Sequence, residues 1–199
     1  MSHIQALLAK RRSIYQLGNQ VSMSTEALTQ MIQHAVREAP SAFHSQSSRV
    51  VVLYGQAHQR VWSIAEEALR QIVPEAQFAA TQQRLDGFRA AFGTILFFED
   101  QTVVQSLQER FPMYAENFPK WAQESTAIAQ YAVWLMLTEH QLGASIQHYN
   151  PLINAKVQEE WQLPESWTLL GQMPFGSIEG APAEKAHMLD SERFRVFGA

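Results

Sequence analysis

A chain of 199 residues, 46% apolar and 17% charged, can bury one sizeable core and falls outside the disordered class. Its net charge of −4, with no long basic block, gives no electrostatic support to nucleic-acid or membrane-surface binding. With no cysteine there is no disulfide framework, no thiolate nucleophile and no cysteine metal site, which fits a reducing compartment.

The opening MSHIQALLAKRRS lacks the apolar core of a signal peptide. The most apolar stretch, AIAQYAVWLML (127–137), falls short of the roughly 20 residues a bilayer span needs and reads as a helix buried on most sides. No repeat, low-complexity tract or linker is evident. The expectation is one soluble, cytoplasmic domain over residues 1–199 that uses no membrane and no nucleic acid.

IQALLAK (4–10) reads as a short amphipathic helix ending at Arg11 and Arg12. Ser24 can N-cap the next helix, with Glu26 in its first turn and Leu28, Met31, Ile32, Ala35, Val36 and Ala39 at helical spacing. Pro40 stops it, because the residue before a proline is pushed out of the α region. RVVVLY (49–54) predicts a strand buried on both faces. Helices are expected at 57–73 and 75–91, then a second buried strand, GTILFFE (93–99), then helices at 101–110 and 115–141. GASIQHY (143–149) predicts a third strand. Asn150 as N-cap and Pro151 at the first position predict a helix from there. WTLLGQMPFG (167–176) is a fourth strand, and SERFRVFGA a last short strand or an arm. Strands alternating with helices imply an α/β or α+β class, with a mixed sheet covered on both faces. Neither GxGxxG nor GxxxxGK[ST] occurs, so neither a Rossmann site nor a P-loop is supported.

Two segments concentrate polar chemistry. KRRSIY (10–15) offers Arg side chains suited to bidentate phosphate binding and the Ser13 hydroxyl, although by itself it reads first as a solvated basic helix end. APSAFHSQSS (39–48) can cradle the polar edge of a ligand through Ser41, Ser45, Gln46 and loop amides, or can be ordinary turn and capping chemistry. No GxSxG elbow, no HExxH and no paired carboxylates accompany them, so a serine hydrolase and a metal site are not expected. FPMYAENFPKW (111–121), rich in aromatics with two prolines, is a structured connector of the kind that walls a pocket, although core packing accounts for most of its rings.

Taken together, these segments resemble the nitroreductase family. RRSIYQLG is similar to its RRSxR-type opening, APSAFHSQSSRVVVL to its APSxxNxQPWxFxVV segment, and GASIQHYNPL stands where the family has a GLGxxxxG loop. The subgroup named for fungal fatty-acid-repression mutants is closer still, with PSAFNSQSSRVVVL, GTILFFED, ASLQHYNPL and QMPFG as its typical segments. The resemblance implies an α+β fold with a central mixed β-sheet flanked by helices, in an intertwined homodimer. Non-covalent FMN would sit at each of two interface sites. The implied reaction is two-electron transfer from NADH or NADPH to nitroaromatic, quinone or related small-molecule acceptors, donor and acceptor using one cavity in turn. A flavin-binding regulatory or sensor protein with little turnover, linked to lipid or oxidative-stress signalling, is the alternative.

By that resemblance Arg11, Arg12 and Ser13 meet the FMN phosphate and ribityl chain, with Tyr15 where the family has a basic residue. Pro40, Ser41, Ala42, Phe43, His44, Ser45 and Gln46 reach the flavin of the other subunit, with His44 replacing the usual Asn. Gln147, His148 and Tyr149 lie against the isoalloxazine, a backbone N–H facing the reactive flavin nitrogen. Lys185 and His187 match a basic pair near the phosphate, Arg195 is a second candidate for that role, and Arg84 is a guess for the mid-chain basic ligand. His148 is the candidate proton donor. Phe43, Tyr114, Phe118 and Trp121 are the candidate wall that stacks an acceptor.

Overall fold

The computed structural model describes residues 2–198. In chain order its elements are α1 (His3–Lys10), β1 (Leu17–Gly18), α2 (Thr25–Glu38), β2 (Ser48–Tyr54), α3 (Gly55–Leu69), α4 (Phe78–Arg89), β3 (Gly93–Asp100), α5 (Gln101–Arg110), α6 (Phe118–Glu139), β4 (Gly143–Ala144), α7 (Asn154–Glu160), β5 (Trp167–Ile178) and α8 (Asp190–Arg193). Short 3-10 turns precede β2, α4 and α6.

Alternation along β3 organises the core. Ile95 and Phe97 face one side, packing with Leu28 and Ile32 of α2, Val133 and Leu137 of α6, and Met173 and Phe175 of β5. Leu96 and Phe98 face the other, against Val61, Trp62 and Ala65 of α3, Leu85 and Phe88 of α4, and Val157 of α7. A strand whose successive side chains point to opposite faces is apolar throughout only when both faces are covered. β3 is accordingly buried along its whole length.

The sheet order is β1-β5-β3-β2, with β4 also on β5, and each of these pairings is antiparallel. The sheet read as mixed from the sequence thus has antiparallel ladders, and its parallel element is a lone bridge between Ser13 and Ala144. The fold is α+β. Ser24 caps α2, its hydroxyl accepting the Ala27 N–H at 3.2 Å. At Gly176 a Cβ would run into the Gly18 carbonyl, so only glycine permits the close approach of β1 to β5.

Several boundaries differ from the sequence reading. β2 has only Leu53 fully buried, because it is an edge strand of the sheet and a cavity opens on its Val50 and Val52 face. α6 leaves Ile128 and Tyr131 exposed within the segment expected to be buried on most sides. The expected third strand shortens to Gly143–Ala144 plus a bridge between Gln147 and Gln172. The helix expected from Asn150 begins at Asn154, after turns at 150–153. α3 ends at Leu69, and α4 starts at Phe78 behind a 3-10 turn, because Pro74 separates them. α6 begins at Phe118 rather than 115. The tail forms no strand within the described residues: 181–189 run exposed into the single turn of α8.

A paired cluster of buried polar groups links α3 to β3. His58 Nε2 lies 3.2 Å from the Arg89 carbonyl, which can only accept, so Nδ1 accepts from the Thr94 hydroxyl at 2.8 Å. Thr94 Oγ1 in turn accepts the Trp62 indole N–H at 3.0 Å. Burial holds His58 below the usual histidine range, against the opposing pull of its backbone hydrogen bonds. The unfolded chain therefore binds a proton that the folded one does not. Stability is expected to be complete above about pH 6.5 and to fall, by at most about 1.4 kcal/mol per pH unit from this group, as pH drops toward the folded pKa. Denaturant midpoints for wild type and His58→Gln across that window check this; an identical slope in both would remove His58 as the cause.

Candidate active site

The RRS segment is held to the sheet. The Ile14 N–H donates to the Ala144 carbonyl at 2.9 Å beside the Ser13–Ala144 bridge, so residues 11–15 lie along β4. β4 runs on into 147–149, which brings these two sequence-distant segments together. The result is a groove. A cavity of about 360 Å³ is lined by Arg11, Arg12, Ser13, Tyr15 and Lys185. A second, of about 570 Å³, is lined by Arg84, Gly87, Phe88 and Gln147, and the two share Tyr15 and Gln16. Three cations thus stand at one end, with a fourth, Arg84, and Gln147 at the other.

Within this groove Arg12 donates through Nη2 to the Ala183 carbonyl, tying down the segment that carries Lys185. Arg11 lies over the Trp134 ring at 4.4 Å, and its buried Nε has no hydrogen-bond partner among the described residues. Gln147 exchanges two backbone hydrogen bonds with Gln172, at 2.7 and 2.9 Å. The Tyr149 ring packs edge-on against Trp62 and Phe88, and burial pushes its phenol up. The Tyr149 side chain is therefore part of the core, and its expected place beside a ligand is left to the backbone. His148 is exposed. His187 and Arg195 lie on the exposed tail, Arg195 bonded to the Ser191 and Phe194 carbonyls, and neither lines the groove.

The 40–46 loop is elsewhere. Pro40, Ser41 and Gln46 line a cavity of about 600 Å³ between α2, β2 and α6, together with Ile32, Val36 and Val50. Phe43, His44 and Gln46 all have φ near +50° (55°, 51° and 48°), a left-handed conformation that costs non-glycine residues of order 1–3 kcal/mol each. Neighbours hold it. The Gln46 N–H donates to Ser41 Oγ at 3.0 Å, the Ala42 N–H to Ser125 Oγ at 3.2 Å, and Arg49 Nη1 to the Gln46 carbonyl at 2.7 Å. His is among the residue types that tolerate this region, as Asn is, so His44 is conformationally suited where the resembling segments carry Asn. Ala42 and Ser45 serve this local network rather than lining the larger cavity.

The aromatic wall forms as a cluster: Phe43 lies 6.0 Å from Trp121 at 19°, 5.2 Å from Phe118 and 6.1 Å from Tyr114. Phe118 is only 2% exposed and backs the cluster, while Phe43 (51%) and Tyr114 (42%) face out. Sequence reasoning missed Phe111, 5.0 Å from Phe43, and Gln172, whose only signal is a lone amide in the apolar run TLLGQMPF. Among the described residues no cluster of His, Asp or Glu is arranged for a metal, and no helix is long and apolar enough to cross a membrane.

The groove and the loop lie at diagonal corners of the sheet. Ser13 pairs through Ala144 in the row of Phe175, whereas Ser48, just after the loop, pairs through Glu99 in the row of Thr168. Strand spacing and rise put these corners roughly 30 Å apart.

Residues 8–177 match the model of the nitroreductase family. The chain is 48% identical to the Lactococcus lactis nitroreductase CinD in structures solved with chloramphenicol and with 4-nitrophenol, at TM-scores of 0.90 and 0.89, covering 98% of this chain and 100% of that one. It is 33% identical over 183 residues to the Saccharomyces cerevisiae protein HBN1, named as a nitroreductase, covering 91% of each. A Desulfitobacterium hafniense nitroreductase solved with bound FMN has the same fold at 19% identity and TM-score 0.72, covering 99% of each chain. The family match spans 8–177 and these relatives match over nearly the whole chain, so the protein belongs to the nitroreductase family.

Proposed function

We propose that this oxidoreductase is an FMN-dependent NAD(P)H reductase of nitroaromatic, quinone or related acceptors, working by ping-pong two-electron transfer as a cytoplasmic homodimer. The observation that carries the reading is the groove, with Arg11, Arg12 and Lys185 at one end and Arg84 and Gln147 at the other. This donor set fits a molecule with an anionic end and a flat polar end. FMN in a relative of the same fold, and 4-nitrophenol in CinD, support the cofactor and the acceptor class.

When bound, FMN supplies the two-electron redox chemistry. The chain's residues do the rest. Arg11, Arg12 and Lys185 hold the phosphate, with the Ser13 hydroxyl beside them. A backbone N–H of the 147–149 loop would meet the ring, and its dipole favours negative charge there. His148, exposed on that loop, is the candidate to hold a proton for the acceptor. Phe43, Tyr114 and Trp121 offer rings on which a flat acceptor stacks.

The two corners of the sheet are too far apart for one flavin mononucleotide to touch both within a chain. Two subunits supplying one corner each resolve this, and the exposed Ile128 and Tyr131 of α6 are apolar surface that a second copy would cover.

Because donor and acceptor would take turns in one cavity, double-reciprocal plots of NAD(P)H oxidation against a quinone are expected to give parallel lines. Intersecting lines, or a ternary complex trapped with a dead nicotinamide analogue, would count against the shared cavity. A yellow protein that binds FMN but turns over neither a quinone nor a nitroaromatic would move the reading to a flavin-binding regulator, and a colourless protein that takes up no FMN would end both.

A further inference from the structure

β5 carries one fully buried amide, Gln172, among apolar neighbours. Leucine would pack such a position without the desolvation cost of an amide. Every hydrogen bond Gln172 makes outside the sheet ladder goes to one loop. Its backbone N–H donates to the Gln147 carbonyl at 2.9 Å and its carbonyl accepts the Gln147 N–H at 2.7 Å. Its side-chain Oε1 accepts the Tyr149 N–H at 2.7 Å, and Nε2 donates to Asn150 Oδ1 at 3.3 Å. Of the three N–H groups at 147–149, two are therefore held by Gln172. The third, on His148, makes no hydrogen bond to another described residue.

We propose that Gln172 is a positioning residue that pins the 147–150 loop from beneath, so that the His148 N–H is the one backbone donor of this triplet left open for the cofactor. The inference rests on the flavin reading for the identity of that ligand, and on the hydrogen bonds alone for the pin. The arrangement is selective. A ligand meeting the loop encounters a single oriented donor, and the neighbouring amides cannot rotate to compete without leaving Gln172. Tyr149 strengthens the pin, since its ring also packs edge-on against Trp62 and Phe88.

The test is residue-resolved amide hydrogen exchange on the full chain, with and without saturating FMN, for wild type, Gln172→Leu and Gln172→Glu. Flavin fluorescence quenching reports binding in the same samples. In cofactor-free wild type, Gln147 and Tyr149 should be protected and His148 should exchange quickly; FMN should slow His148 by about tenfold or more. Gln172→Leu should speed Tyr149 by about tenfold and abolish the FMN-dependent protection of His148. Gln172→Glu, which keeps an acceptor for Tyr149, should restore protection of Tyr149, an effect that general loosening of the strand would not produce. Unchanged Tyr149 exchange in Gln172→Leu overturns the pin. His148 remaining fast in wild type with FMN demonstrably bound overturns the open-donor assignment. If fluorescence shows that wild type binds no FMN, the flavin reading falls, and the cofactor-free exchange pattern still decides the pin.

Discussion

Two inactive variants, Arg11→Ala/Arg12→Ala and Ser41→Ala/Gln46→Ala, are expected to regain activity when their subunits are exchanged. The first lesion lies in the basic groove beside β4, the second in the loop before β2, at the opposite corner of the same sheet. If each flavin site takes one corner from each subunit, a mixed dimer gathers both lesions at one site and leaves the other intact. Activity per mixed dimer should then approach about half of wild type, since two-fold symmetry gives two equivalent sites. Cofactor affinity should also depend on protein concentration in the range where the dimer dissociates, because binding that needs both chains is linked to association. Demonstrated subunit exchange with no recovery would place each site within one chain, and the polar loop would then serve its own fold.

Arg12→Ala is expected to weaken FMN binding roughly 10- to 100-fold, the equivalent of about 1.5–3 kcal/mol for a charge-assisted contact. The structure adds a second reason for a large effect. Arg12 also donates to the Ala183 carbonyl, so its loss releases the segment that brings Lys185 to the groove. Arg11→Ala removes a cation stacked on Trp134 and should cost less if that stacking, rather than phosphate contact, is its main role. Fluorescence titration of both single variants and the double variant separates the roles. An unchanged affinity in all three would sink the phosphate assignment, whereas a loss in Arg12→Ala that salt does not alter would point to the tether on Ala183 instead.

Much of the fold was readable in residue spacing. α2 with its Ser24 cap, the fully buried β3 and the long β5 follow from patterns that local physics imposes: a period of 3.6 for one buried helix face, and unbroken apolar runs for strands covered on both faces. The failures fall where tertiary context outweighs local signal. RVVVLY has the composition of a doubly buried strand, yet it lies at an edge beside a cavity. AIAQYAVWLML has the composition of a buried helix, yet it leaves Ile128 and Tyr131 exposed. In both cases the apolar residues are present and the chain alone does not cover them. Asn150 and Pro151 carry helix-start chemistry, but Gln172 holds Asn150 in the loop and α7 begins only at Asn154.

The site divides along the same line. Its residue types were legible by themselves: the Arg11–Arg12–Ser13 triplet and the polar run from Ser41 to Gln46 are chemistry that side chains carry wherever the fold puts them. Three things were not. That Tyr149 belongs to the core, that Gln172 holds the loop beside it, and that the basic triplet and the polar loop occupy diagonal corners all depend on which strands become neighbours. Strand pairing is decided by contacts between residues far apart in the chain, such as Ser13 with Ala144 and Gln147 with Gln172. A sequence determines which groups are available to bind and how each local segment prefers to fold. Only the packed sheet decides which of them converge, because the free energy of that convergence comes from long-range burial and hydrogen bonding, which local spacing does not encode.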